Sequence, residues 1–180
     1  DLHIESSRRL ATLTMRSPRE TASEISALSA SVIRAQGEGF WALKAYRELN
    51  EALLHLRFNH IDVGTVLIKT EGNIEAALAM DTKLHELKDD DWFIREIVLY
   101  MGFVLRRVDL TARSFYALME EESCFAGSLL ELGLAADRSY LLEDEAGENG
   151  VAVGALSNGS LPMSNGLTRI GCRFLHDPEA

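Results

Sequence analysis

The chain is short of the residues that brace small secreted domains. Among its 180 residues stand two cysteines, Cys124 and Cys172, and three prolines. Two thiols cannot build a disulfide framework, and both lie in apolar surroundings, so they read as buried free thiols of a reducing compartment. Basic residues are also scarce. Eighteen Lys and Arg face 28 Asp and Glu, a formal net charge of −10, which argues against a nucleic-acid surface because such a surface needs a concentrated basic face. The pairs Arg8-Arg9 and Arg106-Arg107 sit beside acids and extend into no stripe. No apolar run approaches the ~20 residues that cross a bilayer, and no charged-then-apolar leader opens the chain. No membrane partner is therefore expected, and a cytoplasmic location is the default.

The common catalytic signatures are missing too. The five histidines, His3, His55, His60, His85 and His176, form no HExxH arrangement, and no Cys/His spacing resembles a zinc site. There is no GxSxG elbow, no phosphate-binding Walker loop and no dinucleotide fingerprint. Asp89-Asp90-Asp91 reads as a helix start, where the dipole favours acids, rather than as a metal site. His55 and His60 read as surface residues at one helix end, and Cys124 as core.

What is there is the make-up of a folded domain. A hydrophobic content of 47% is ordinary for a globular protein, and the length suits one domain, residues 1–180, burying roughly two thirds of its unfolded surface. The chain opens "DLHIESS", without methionine and on a strand-like alternation, so a piece of a longer chain is expected. "RLATLTM" reads as a strand near a sheet edge, with Ala11, Leu13 and Met15 on one face. "SPRETASEISALSASVIRAQGEG" reads as a loop holding one short helix. "FWALKAYRELNEALLHLRFN" places Trp41, Ala45, Leu49, Leu53 and Leu56 at helical spacing. "VGTVLIK" reads as a parallel strand buried on both faces, "IEAALAMDTKLHEL" and "WFIREIVLYMGFVLRRV" as helices, and "RSFYALME" and "RSYLL" as strands. "EDEAGENG" reads as an exposed acidic turn, "VAVGAL" as a further strand, "SNGSLPMSNG" as an irregular loop and "LTRIGCRFL" as a closing helix. Strands alternating with helices indicate an α/β fold with right-handed crossovers.

The stretch "ESCFAGSLLELGLAADRSYLL", residues 122 to 142, carries one carboxylate, Glu131, among leucines. Two accounts of it are open. Unpaired N–H groups where the helix begins, around Ala126 to Ser128, form an anion site and, aimed at a carbonyl oxygen, an oxyanion hole. Glu131, one turn on and desolvated by its neighbours, then has the raised pKa of a general acid/base. Alternatively Ser128-Leu129-Leu130-Glu131 is a capping box, S-x-x-E, and both side chains satisfy backbone donors.

"CFAGSLLELGLAADRSYLL", with "SLPMSNGLTRI" some twenty residues later, resembles the crotonase (enoyl-CoA hydratase/isomerase) superfamily. Four stretches, "ALLHLRFNHIDVGTVLIKTEG", "DDDWFIREIVLY", "SFYALMEEESCFAG" and "PMSNGLTRIGCRF", resemble a branch of it whose members carry two crotonase-like halves, and match the second half. The resemblance implies an α/β fold, a crotonase-like spiral of ββα units, that holds a CoA thioester. Such enzymes open the ring of epoxidised benzoyl-CoA with water during benzoate breakdown, and the resemblance implies no metal, flavin or nicotinamide. By position Glu131 matches the first catalytic glutamate. One oxyanion donor comes from Ser128 beside Gly127, and the other from the "KTEGN" loop near Glu71 and Gly72. The second catalytic glutamate aligns at Ala155, and the glycine-rich turn is reduced to Gly127-Ser128-Leu129. These departures imply a supporting region that assembles with a second crotonase-like domain or as a homo-oligomer. Catalysis by this chain alone leaves Glu131 as the sole acid/base.

Overall fold

Alternation with a period of two sets one face of each strand inward, and three strands in register make that face continuous. In the computed structural model, which describes residues 1–143 and 150–176, Ala11, Leu13 and Met15 of β2 (Leu10–Arg16) are buried. So are Val66, Ile68 and Thr70 of β3 (Thr65–Glu71), and Phe115, Ala117 and Met119 of β4 (Ser114–Met119). The sheet has five strands in chain order, closed at its ends by β1 (Leu2–Glu5) and β5 (Arg138–Leu141). β1 pairs antiparallel with β2, so β2 lies one strand in from the edge; all other pairs are parallel.

The parallel crossovers supply the helices. α1 (Ala22–Ser26), α2 (Ala30–Gln36) and α3 (Trp41–Asn59) lie between β2 and β3. α4 (Ile74–Leu87) and α5 (Trp92–Asp109) lie between β3 and β4, and α6 (Leu130–Ala135) between β4 and β5. α7 (Arg169–Arg173) comes last. This is an α/β arrangement, consistent with the crotonase-like fold that the resemblance implies, with one sheet face buried beneath helices and the other half exposed. No helix among the described residues is long and apolar enough to cross a membrane.

Several expectations are corrected. The Ser- and Ala-rich segment forms two short helices rather than one, each opened by a side-chain cap, Thr21 with Glu24 in a capping box and Ser29 on the Val32 N–H. β3 is buried on one face only, because helices cover just that side. In α3 the buried stripe begins with Ala42 and Tyr46 instead of Trp41 and Ala45; Tyr46 turns inward to a buried acceptor, while Trp41 donates to the Arg16 carbonyl at the surface (3.0 Å). "VAVGAL" is no strand. Ala152 bridges to Ala126, its N–H donating to the Phe125 carbonyl, and the chain then turns through a short 3-10 helix at Ala155–Ser157. Cys124 is buried but Cys172 only half-buried, and burial pushes the Cys124 thiol up to about 11. The acidic turn expected at "EDEAGENG" falls, except for its two ends, outside the described residues.

The Asp89–Asp91 run starts a helix as expected. The Asp91 carboxylate accepts from the Phe93 and Ile94 N–H groups (2.9 and 3.2 Å) and lies 3.5 Å from Arg34. Replacing Asp91 with Ala removes this cap from α5, at a cost of about 1–2 kcal/mol. Thermal melts should show Tm lowered by several degrees for Asp91→Ala and largely retained for Asp91→Asn.

Candidate functional site

After β4 the chain is drawn back over β3, the Cys124 N–H reaching both the carbonyl and the hydroxyl of Thr70 (3.3 and 3.1 Å). It then turns at Gly127, whose φ of +55° favours a residue without a side chain. Space makes the same demand: a Cβ there would lie 2.6 Å from the Asp81 carboxylate. At Gly154 a Cβ would lie 2.6 Å from both that carboxylate and the Gly127 Cα. The two glycines thus form a slot that receives Asp81 from α4.

Asp81 is fully buried, and neither carboxylate oxygen has a hydrogen-bond partner. Burial pushes its carboxyl up to about 7; the Ser128 hydroxyl and N–H oppose the shift and Glu131 adds to it. Ser128 is near enough to exert this pull but does not reach hydrogen-bonding geometry. Tyr46 closes the group, donating from its hydroxyl to the Ser128 carbonyl (2.9 Å). Burial first, and then the charge of Asp81, hold the Tyr46 phenol far above its ordinary value.

Glu131 enters from the first turn of α6 and is 2% exposed. Its carboxylate meets the Arg169 guanidinium at 3.0 Å. Arg169 is 1% exposed. It grips Asp109 with two further bonds (Nε–Oδ1 3.0 Å, Nη2–Oδ2 2.6 Å) and donates to the Leu161 carbonyl (2.9 Å). Burial works against the charge on Arg169, but Asp109 and then Glu131 outweigh it and hold the group above its ordinary value. Thr168 positions the arginine by capping α7.

The capping box is a correction: neither the 3-10 turn Gly127–Leu129 nor α6 has a side-chain cap. Glu131 reaches Arg169 instead, because an opposite charge in a dry core outbids a backbone donor. Of the proposed oxyanion donors, the Gly127 N–H is taken by the Ala152 carbonyl (2.8 Å), and Ser128 is buried beside Asp81. Glu71 and Gly72 are tied to β2. The Glu71 carbonyl accepts from the Ser17 N–H (2.9 Å), its exposed carboxylate pairs with Arg16 (2.9 Å), and a side chain at Gly72 would strike Ser17. Ala155 begins the 3-10 turn next to Gly154, and Leu129 is fully buried. Two cavities, of about 900 and 520 Å³, open elsewhere and are lined by none of Gly127, Ser128 or Glu131. No group of three His, Cys, Asp or Glu among the described residues is arranged to hold a metal ion.

Sequence reasoning missed Asp81, Asp109 and the role of Arg169. Asp81 left a signal: it stands on the same helical stripe as Ala77, Met80 and Leu84, where every other residue is apolar. Asp109 left none, since an acid at a helix end looks like surface.

No protein-family model matches the chain. It is 43% identical over 177 residues, 98% of its length, to benzoyl-CoA-dihydrodiol lyase of Aromatoleum evansii. It spans 31% of the length of that relative. Identity at this level along nearly the whole chain bears out the resemblance carried by the four stretches.

The raised Asp81 carboxyl sets a pH dependence. Its folded pKa lies above its unfolded value, so the unfolded chain loses this proton first. Stability is therefore highest below about pH 4 for this group, falls as pH rises toward 7, and is level above that. Asp81→Asn should abolish this slope in denaturant melts taken from pH 4 to 8. Its gain relative to the unsubstituted protein should grow with pH, by an amount on the order of a few kcal/mol.

Proposed function

We propose that this chain is a crotonase-like region of an enzyme of the benzoyl-CoA-dihydrodiol lyase type, and that it supports the active site rather than performing its chemistry. Such an enzyme opens the ring of epoxidised benzoyl-CoA with water, giving an aliphatic semialdehyde CoA ester and formate in benzoate breakdown. The similarity along the chain supports the enzyme class. The supporting role is carried by one observation: the Glu131 carboxylate is buried against Arg169, whose other edge is held by Asp109. A general acid must reach a substrate proton, and a carboxylate buried against a cation has no open path to one. The partner is a second crotonase-like domain, in the same chain or in another copy, that carries the acid pair and holds the CoA thioester.

One observation favours a second reading, catalysis within this region. Asp81, an acid without a hydrogen-bond partner, lies against Gly154, next to Ala155 where the second glutamate of the superfamily aligns. With Glu131 it gives two carboxylates flanking Gly127-Ser128. Ser128 supplies an oxyanion donor in that reading, and the loop at Glu71-Gly72 the other.

Glu131→Gln in the intact protein separates the two. The supporting role predicts a lowered Tm with kcat for benzoyl-CoA ring opening held within about threefold. A fall in kcat of roughly a hundredfold or more at an unchanged Tm is the behaviour of a general acid/base and makes Glu131 catalytic.

A further inference from the structure

α3 and α5 end side by side, and between their C-terminal turns lies the cavity of about 520 Å³. That volume is in the range of small-ligand sites. Four of its lining residues are arginines, Arg57, Arg106, Arg107 and Arg113, and none is a carboxylate. In a chain with a net charge of −10 this is the reverse of the average surface. None of the four arginines forms an ion pair among the described residues.

Each arginine is held differently. Arg113 is a brace. Its Nε donates to the Val63 carbonyl (2.9 Å) and its Nη2 to those of Leu56 and His60 (2.7 and 3.1 Å), which fixes the end of α3 against the sheet. Arg106 has one long bond, to the Pro162 carbonyl (3.4 Å). Arg107 lies over the Phe103 ring (5.1 Å), and its Nε is buried with no acceptor. Arg57 lies over Phe58 (5.7 Å). The helix dipole accounts for a cation at each helix end, but its worth is a fraction of a kcal/mol. It explains neither the buried, unsatisfied Nε nor the absence of acids around four guanidinium groups.

Guanidinium forks match phosphate oxygens in pairs. Leu110 is 73% exposed and Phe103 44% exposed at the same site; the Phe103 ring is stacked with Tyr100 and overlain by Arg107, so the two side chains offer an apolar edge beside the charge. We propose that this cavity is a binding site for an organic phosphate of nucleotide size, with Arg106 and Arg107 taking the phosphate and the exposed Leu110 side chain and Phe103 edge lying against its apolar part. The site is separate from the Gly127–Glu131 segment. Val63 and Arg113 precede β3 and β4, so the cavity lies at the amino ends of these strands, whereas Gly127 follows the carboxyl end of β4. The proposal stands independently of the benzoyl-CoA reading.

Calorimetric titration of the intact protein with ADP tests it. Saturable binding is expected, weakened by added salt, at least about tenfold weaker in Arg107→Gln, and unchanged in Glu131→Gln. Inorganic phosphate should compete only at higher concentration. Where Arg107→Gln lowers Tm, Arg106→Gln replaces it as the deciding variant. No saturable ADP binding at millimolar concentration, binding indifferent to both arginine variants, or inorganic phosphate or benzoate binding as tightly as ADP would each overturn the proposal.

Discussion

A guanidinium that is 1% exposed can stay charged only if the protein returns what water would have given it. Arg169 is in that position, and the C-terminal part of the described structure is arranged to meet its demand. Asp109 at the end of α5 takes one edge of the fork, Glu131 at the start of α6 takes a second position, and the Leu161 carbonyl takes another. The arginine therefore ties three separate segments together: α5, α6, and the loop that leads into α7. Desolvating such a group costs several kcal/mol, and loss of one partner leaves a bare charge in the core. The network explains why a carboxylate lies among leucines in α6.

Next to the paired acid is an unpaired one. Asp81 and Glu131 are both carboxylates of the dry interior, but only Glu131 has a cation. Burial without a cation pushes the Asp81 carboxyl up to about 7. Gly127 and Gly154 leave room for Asp81 to fit at all. The slot also fixes the local backbone: the Ala152 carbonyl that receives the Gly127 N–H holds this segment against the Phe125–Gly127 turn rather than in the sheet.

Much of the fold was legible in the sequence because periodicity records burial directly. β2, β3 and β4 and the three long helices α3, α4 and α5 all fall where apolar residues repeat every two or every three to four positions. The exceptions have physical reasons. "VAVGAL" has the alternation of a strand, but Gly154 is held against Asp81, a contact made across more than seventy residues that no local pattern encodes. Tyr46 displaced Trp41 from the buried stripe of α3 because its hydroxyl finds the Ser128 carbonyl, again a distant partner. In the site, Glu131 stood out as a polar residue in an apolar run, and both local accounts of it, cap and free acid, lacked its true neighbour. Arg169 was visible only as part of a loop-and-helix motif. Nothing in spacing says that residues 109, 131 and 169 converge.

Glu131 is held by Arg169 as a structural ion pair, and a double-mutant cycle measures the coupling between them. Arg169→Met, Glu131→Gln and the double variant would be compared by denaturant unfolding of the intact protein. A buried ion pair predicts that Arg169→Met costs about 3–5 kcal/mol and that the double variant loses less than the sum of the two single losses, by at least about 1 kcal/mol. Losses that simply add would contradict it, because two groups that do not depend on one another cannot be the pair on which this part of the fold rests.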